Sequence, residues 1–367
     1  MILWGGLGLA LLLVMKNFMI ILAALPLVGA PPKIAVIGLL HSHVWSQLPN
    51  MVKGDVVQLV GVAEEHPELV AEAKKAGVAD NLIFADYNKM LDQVKPDFVW
   101  AFVENNRHLE IVKACAGRKI SVIFEKPLAS TGKDAAAIRE IATKSGIYVM
   151  TNYQMAWWAS NYTARKIAET GELGKVYRLR GVVGHGGPGS DGARNSFFFE
   201  WLTDPVKNGA GALMDFGCYN ALWSLWYMGM PQTVYARVDH LQPERFPKVE
   251  DNSTMVLGYQ DGVGIFEGSW DLPRSFQDLE VFGRSASLTM VNNKVEMRKS
   301  GRGATYEAVP IEALAKERAS PLAYMANAVE KHQAPEGLVG LDINVQVVEI
   351  IDAAKQSIQS GKAVTLK

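Results

Sequence analysis

Ile120-Ser121-Val122-Ile123-Phe124-Glu125-Lys126-Pro127-Leu128 is an apolar run that ends abruptly in a carboxylate, an amine and a proline. Isoleucine, valine and phenylalanine suit a strand buried on both faces, and Pro127 cannot extend a hydrogen-bonded ladder. Glu125 and Lys126 are therefore expected at the carboxyl end of a core strand, where open α/β sheets bind ligands. Taken alone, such a pair reads more simply as a solvated strand end. Its surroundings decide otherwise.

Upstream, Lys33 to Gly38 is a short buried strand ending in glycine and Val57 to Ala63 is a second, with a helical stretch between them. Glu68 to Lys75 has helical composition, Phe98 to Val103 is a third apolar strand, and Leu109 to Ala116 is a helix. Downstream, Lys133 to Lys144 supplies a helix and Ile147 to Thr151 a strand. Alternation of this kind predicts a parallel sheet with helices on both faces, because parallel strands need crossovers.

The first turn of such a layout normally carries Gly-x-Gly-x-x-Gly, for a tight bend and close approach to a diphosphate. Here it reads Gly38-Leu39-Leu40-His41-Ser42-His43, with only the first glycine kept. Backbone N–H groups at the helix start still suit a phosphate, and Ser42 or a histidine adds a donor. Gly38, Leu40, His41, Ser42 and His43 are thus the expected cofactor contacts. No metal is expected at His41 and His43, since no carboxylate or third histidine lies at ligand spacing nearby. Glu64, at the end of the second strand, is placed to accept both ribose hydroxyls and to repel a 2′-phosphate, which favours NAD over NADP.

The second half holds Gly209-Ala210-Gly211-Ala212-Leu213-Met214-Asp215-Phe216-Gly217-Cys218-Tyr219. On a helix, Asp215 and Tyr219 would share a face and aim a carboxylate and a phenol into one cleft. A lysine desolvated beside a cationic nicotinamide has a lowered pKa and can take a proton. Lys126 or Tyr219 would then take the hydroxyl proton of an alcohol while hydride moves to the cofactor, with Asp215 holding the hydroxyl or orienting the amine.

These residues resemble the glucose-fructose oxidoreductase, inositol dehydrogenase and rhizopine-catabolism (Gfo/Idh/MocA) family. The likeness rests on Glu125-Lys126-Pro127, the run from Gly171 to Val176, the Gly-rich segment ending in Asp215-x-Gly-x-Tyr219, and Asn105 with His108 in an Asn-x-x-His loop. It implies an α/β fold: an N-terminal Rossmann domain, then a C-terminal α/β domain with a large open, mostly antiparallel sheet. It implies a Rossmann domain over 31–152, a substrate and oligomerisation domain over 153–340, and over 341–367 a helix packing back toward the first domain. By the same resemblance Lys126 is catalytic, Glu125, Asn105 and His108 join the cofactor site, and the Lys126–Pro127 peptide is often cis. Many relatives have histidine where Tyr219 stands; the tyrosine resembles the glucose-fructose oxidoreductase branch and takes the proton-donor role. A homodimer or homotetramer through the open sheet is expected.

Composition narrows the partners. Asp plus Glu number 38 against Lys plus Arg 37, for a net charge of -1 and a pI near 6.7, so no basic stripe exists for nucleic acid. Cys115 and Cys218 form neither a zinc spacing nor a disulfide framework and read as packed thiols. Residues 1–30 differ in kind: with a start at Met15, Lys16 becomes the positive n-region, Phe18 to Leu27 the apolar core, and Val28 and Ala30 the small residues before cleavage. The expectation is an exported, periplasmic protein; a cytoplasmic protein, or a membrane anchor formed by 1–30, is the alternative.

The expected substrate is a carbohydrate, because tryptophan stacks on sugar C–H faces. Tyr153, Gln154, Trp158, His185 and Trp201 are the candidate contacts, with His185 in a flexible glycine-rich loop, Gly184 to Gly192. Trp157 and Trp158 are adjacent, so at most one is a platform if they lie on a strand. The primary reading is an NAD-dependent oxidoreductase acting on a secondary alcohol of a sugar, polyol or glycoside. An NAD-dependent glycosidase working by transient oxidation and elimination, and a non-catalytic exported sugar-binding protein, are the rivals.

Overall fold

Strand β1 (Lys33–Ile37) shows why the first sheet forms: Ile34 and Val36 join one buried cluster and Ala35 and Ile37 another, so both faces are covered. The computed structural model describes residues 30–189 and 196–366. The proposed leader, bar Ala30, and the end of the glycine-rich loop, Ser190 to Gly192, lie outside the described residues. After β1 come α1 (Val44–Lys53), β2 (Gln58–Ala63), α2 (Pro67–Lys75), β3 (Ile83–Phe84), α3 (Tyr87–Val94), β4 (Phe98–Ala101), α4 (His108–Ala116), β5 (Ser121–Glu125), α5 (Gly132–Ser145) and β6 (Val149–Asn152). The strands pair in parallel in the order β3-β2-β1-β4-β5-β6. That order reverses between β1 and β4, which opens a crevice at their carboxyl ends. Burying side chains such as Phe98, Trp100 and Phe124 contributes about 1.5–3 kcal/mol each.

The second half runs α6 (Ala159–Glu169), β7 (Val176–Gly184), α7 (Ser196–Leu202), α8 (Ala212–Asp215), α9 (Gly217–Met228), β8 (Thr233–Asp239), β9 (Asn252–Tyr259) and β10 (Gly262–Ser269). It continues with β11 (Phe276–Gly283), β12 (Ala286–Val291), β13 (Lys294–Lys299), β14 (Glu307–Ala308), α10 (Pro321–Glu330), α11 (Leu341–Ser360) and β15 (Val364–Thr365). Nine strands form one sheet in the order β14-β13-β12-β11-β7-β10-β9-β8-β15, antiparallel except where β7 meets β10. In β9, Ser253, Met255 and Leu257 are buried while Thr254 is exposed, the alternation of a sheet with one covered face. Gly184 permits the parallel contact, since a Cβ there would lie 2.1 Å from the Ser269 carbonyl.

Helix α11 ties the halves together. Asp352 accepts from the Gly132 N–H at 2.6 Å, and Lys355 Nζ donates to the Ser130 carbonyl at 2.9 Å. Among the described residues no helix is long and apolar enough to cross a membrane.

Candidate active site

Lys126 emerges where β5 stops, at a cis peptide to Pro127. Its ammonium donates to the Asp215 carboxylate and, at 3.0 Å, to the Asp215 carbonyl. The two side chains are only 7% and 8% exposed, so this is a buried ion pair at the floor of a cleft. Trp270, just past β10, donates its indole N–H to the other Asp215 oxygen at 2.8 Å. Lys126 Nζ also stands 5.3 Å from the centre of the Tyr219 ring and 5.7 Å from that of Phe216.

Three segments therefore meet on one amine. Glu250 fixes the approach of α8 by accepting from the N–H groups of Gly211 (2.8 Å) and Leu213 (3.0 Å). Asp215 and Tyr219 do not share one continuous helix, as their spacing predicts: Phe216, at φ −114°, separates α8 from α9. Both nonetheless line the same cleft of ≈ 450 Å³, with Lys126, His41, Ser42, His43, Gln154, Trp158 and His185.

Electrostatics assigns protonation states. Burial opposes the Lys126 charge, yet the Asp215 carboxylate outweighs it and holds the amine above the ordinary lysine value. Burial likewise opposes the Asp215 charge, and Lys126 outweighs it, so the carboxyl stays below its usual range. Burial pushes the Tyr219 phenol up despite the nearby ammonium. The lowered lysine pKa expected from the sequence is thus reversed in this geometry, because the partner carboxylate is in contact. His41 is held well below the usual imidazole value by burial, then by His43 and Lys126, and is neutral. Burial raises both Cys115 and Cys218 to about 12, which makes them packed thiols.

A second cavity, ≈ 280 Å³, lies on the other side of the β1–α1 turn, lined by Gly38, Leu40, Glu64, Glu65, His66, Tyr87, Asn88 and Arg107 among others. Gly38 adopts φ +74°, and a Cβ there would meet Val103 Cγ1 at 2.6 Å. The Leu40 and His41 N–H groups both donate to the Phe102 carbonyl at 3.1 Å, and the Leu39 N–H donates to Glu64 Oε2 at 2.7 Å. Phe197 and Phe198 of α7 contact His66 and His41, with ring centroids 4.4 Å and 4.9 Å apart, so an aromatic helix flanks this turn.

Comparison with known proteins settles the class. A profile described as "Oxidoreductase family, NAD-binding Rossmann fold" matches residues 33–153, and one for the GFO/IDH/MocA C-terminal domain matches 162–289. The chain belongs to the Gfo/Idh/MocA oxidoreductase family. It is 26% identical over 328 residues to D-xylose 1-dehydrogenase (NADP(+)) 2 of Haloferax volcanii, covering 85% of this chain and 95% of that one. It is 23% identical over 258 residues to myo-inositol 2-dehydrogenase of Thermotoga maritima, covering 69% and 71%. Among solved structures, the aldose-aldose oxidoreductase of Caulobacter crescentus complexed with glycerol matches with TM-score 0.77 at 20% identity, covering 92% of this chain and 100% of that one. Levoglucosan dehydrogenase in complex with NADH and levoglucosan matches at 0.75 and 21% identity, covering 91% and 99%. The protein is an NAD(P)-dependent oxidoreductase of CH–OH groups with an NAD-binding Rossmann domain.

The residues of this Gfo/Idh/MocA protein fit such a cofactor: a cavity flanks each side of the strand-to-helix turn, and only glycine fits at position 38. Several sequence expectations are corrected. Asn105 and His108 line neither cavity; Asn105 donates to Asn208 Oδ1 at 2.7 Å, and His108 bonds the Leu128 carbonyl at 3.0 Å while stacking on Phe124. They join segments behind the strand ends. Tyr153 is fully buried with its ring edge on Tyr219, and Trp201 is buried against His41, so neither reaches the cleft. Glu64 lines the second cavity, but its oxygens already accept from Leu39, Glu65 and His66. Trp158 lines the cleft, whereas Trp157 bonds Asn152.

The case against metal also changes: Glu125 lies beside His41 and His43, and their ligand atoms fall within 4.8 Å of one another. His41 Nδ1 already accepts the His43 N–H at 3.2 Å, which makes that ring an Nε2–H donor rather than a ligand. Sequence reading missed Phe198, Leu202, Phe276 and Gln277 at the cleft and Trp270 beneath it. No local pattern marks them, since each reaches the site through tertiary packing.

Proposed function

We propose that this oxidoreductase oxidises a secondary alcohol of a sugar, polyol or glycoside, with the hydroxyl bound beside Lys126 Nζ and Tyr219. The observation that carries this reading is the buried Lys126–Asp215 pair opening into a cleft with Trp158 and Gln154 on its wall. A fixed ammonium stabilises a developing alkoxide, and a preorganised charge in a dry site is worth far more than in water. Tyr219 donates a hydrogen bond to the same oxygen and supplies a proton in the reducing direction. Trp270 and the backbone carbonyl of Asp215 keep the ion pair in register. Trp158 offers an apolar face for sugar C–H groups. NAD would supply the hydride-accepting ring; Ser42 and the first turn of α1 would hold its diphosphate, and His66, Tyr87, Asn88 and Arg107, which line the second cavity, would hold its adenosine end. Export by residues 1–30, and self-association through the open face of the nine-stranded sheet, belong to the same proposal; light scattering of the purified protein reads the latter.

The test is NADH formation by the purified protein across aldoses, cyclic polyols and glycosides. The wild type should turn over at least one class. Lys126→Ala should abolish turnover while NAD binding, followed by tryptophan fluorescence, persists. An undiminished rate in that variant would end the assignment, and glycoside cleavage without net NADH would replace it with the eliminating reaction.

A further inference from the structure

The walls of the cleft differ in origin. His41, Ser42 and His43 come from the Rossmann turn, the cofactor's side, whereas Ser275, Phe276, Gln277 and Asn292 come from the second sheet. That second wall runs sideways along the sheet, away from the ion pair. Trp270, which holds Asp215, stands just past β10, and β7 ends beside it with Gly184 paired to Ser269. Strand β11 begins against the same glycine, with Phe276 paired to Gly184, and the β12–β13 turn follows on the far side of β11. Neighbouring strands lie about 4.8 Å apart, so the step from β10 across β7 and β11 to β12 carries the wall about 14 Å from the strand that supports the ion pair. A single pyranose ring does not span that distance.

The side chains along this wall suit hydroxyl groups. Gln277 Nε2 donates to Gln154 Oε1 at 3.3 Å, which joins the two carboxamides. Gln277 Oε1 is buried and, among the described residues, has no hydrogen-bond partner. Buried acceptors are normally paired, so this oxygen marks a place for a donor from a ligand. The joined amides thus offer both donors and an acceptor, a combination that neighbouring hydroxyls satisfy because each hydroxyl can give one bond and take others. Asn292 adds a third amide from a hairpin turn in which Asn292 and Asn293 have φ +49° and +60°, a geometry asparagine tolerates. Phe276 supplies apolar surface beside Gln277 for sugar C–H groups.

The same wall selects against charge. Among the described residues lining the cleft, Lys126 is the only lysine or arginine and Asp215 the only acid, and they neutralise each other. Arg274 lies over the Phe276 ring, 3.4 Å from its centre, but is paired with Asp278 at 2.9 Å. A phosphate or carboxylate on the substrate would meet no unpaired lysine or arginine among these residues.

We propose that Gln154, Gln277 and Asn292 form an outer subsite for the hydroxyls of a second sugar ring, so that the preferred substrate is an uncharged glycoside of two or more rings. The proposal rests on the dehydrogenase reading above. The ring to be oxidised lies at Lys126 and Tyr219, and its glycosidic neighbour reaches along the start of β11 to the amides.

The probes are the glucose, galactose and xylose series, each as free sugar, methyl glycoside and α- or β-linked disaccharide, with glucose 6-phosphate as the charged member. With NAD, kcat/KM for a disaccharide should exceed that for the matching methyl glycoside about tenfold, chiefly through KM. Calorimetry on the NADH-loaded protein should show the same order of affinity. Gln277→Ala should bring the ratio of the two glycosides to about one. Asn292→Gly, which keeps the left-handed turn and removes only the amide, should lower it about threefold. A merely structural effect would slow both glycosides alike and leave the ratio where it was. Equal kcat/KM for the two glycosides, a ratio unmoved in both variants, a preference for the phosphate, or turnover confined to free sugars or cyclic polyols would each overturn the outer subsite while leaving the dehydrogenase reading in place. A wild type inert toward every alcohol removes both.

Discussion

Asp215→Asn isolates the charge that holds Lys126. In the wild type both partners are nearly buried, and Lys126 lies above, Asp215 below, its ordinary titration range. The Lys126 contribution is present below about pH 10.4 and is lost only as pH rises through its raised value; that of Asp215 is present above about pH 3.9 and is lost as pH falls. The pair therefore adds no slope to wild-type stability between pH 7 and 9. In the variant a buried ammonium loses its counter-charge, a loss of about 3–5 kcal/mol. The amine escapes by deprotonating, which costs about 1.36 kcal/mol for each pH unit below 10.4. The penalty is thus capped at about 3 kcal/mol at pH 8 and about 2 at pH 9. The amide has one acceptor oxygen, so Lys126 or the Trp270 indole also loses a hydrogen bond, about 1 kcal/mol more. Urea unfolding of the full chain from pH 7 to 9 should show a destabilised variant that recovers as pH rises, because unfolded lysine then binds more protons than folded. A variant within about 1 kcal/mol of the wild type, or one whose deficit does not change with pH, would refute a buried, charge-dependent pair.

His108 gives a second pH signature. Burial, partly offset by its bond to the Leu128 carbonyl and by Glu125, lowers it to about 4, so its contribution is full above the unfolded value near 6.5 and is lost as pH falls toward 4, about 3 kcal/mol in all. His108→Leu should flatten the acid limb of stability by one proton in that window, read by denaturant unfolding; an unchanged slope contradicts the burial argument. Gly38→Ala should lose about 1–2 kcal/mol for its left-handed backbone and more for the contact with Val103, and should weaken NAD binding measured by calorimetry; a neutral effect would mean that the turn relaxes freely.

The parallel sheet was legible because β1, β4 and β5 are short apolar runs separated by helical stretches, and Pro127 marks where β5 must end. Lys126, Asp215 and Tyr219 were legible as chemistry but not as a protonation pattern, since the contact that fixes the lysine charge spans 89 positions. The pairing of His43 with Glu125 spans 82 positions and leaves no local trace. Asn105 and His108 misled for the opposite reason. They sit at a strand end, where ligand contacts belong, but Asn105 turns toward Asn208 and His108 toward Leu128. Helix α7 was missed because Ser196 to Leu202 is a short aromatic run after a glycine-rich loop, without helical periodicity.

The departure from Gly-x-Gly-x-x-Gly has a structural counterpart. Glycines in that motif let backbone amides approach a diphosphate. In this chain the amides of Leu39, Leu40 and His41 are turned inward, to Glu64 and to the Phe102 carbonyl. Leu40 is buried, so the turn is rigid without its second glycine. The third glycine position is His43, whose ring reaches the cleft instead of packing against a neighbouring helix. Loss of the glycines thus has one cause and two effects. The turn presents fewer open amides to a diphosphate, and the position freed at its end carries an imidazole into the cleft that holds Lys126, Asp215 and Tyr219.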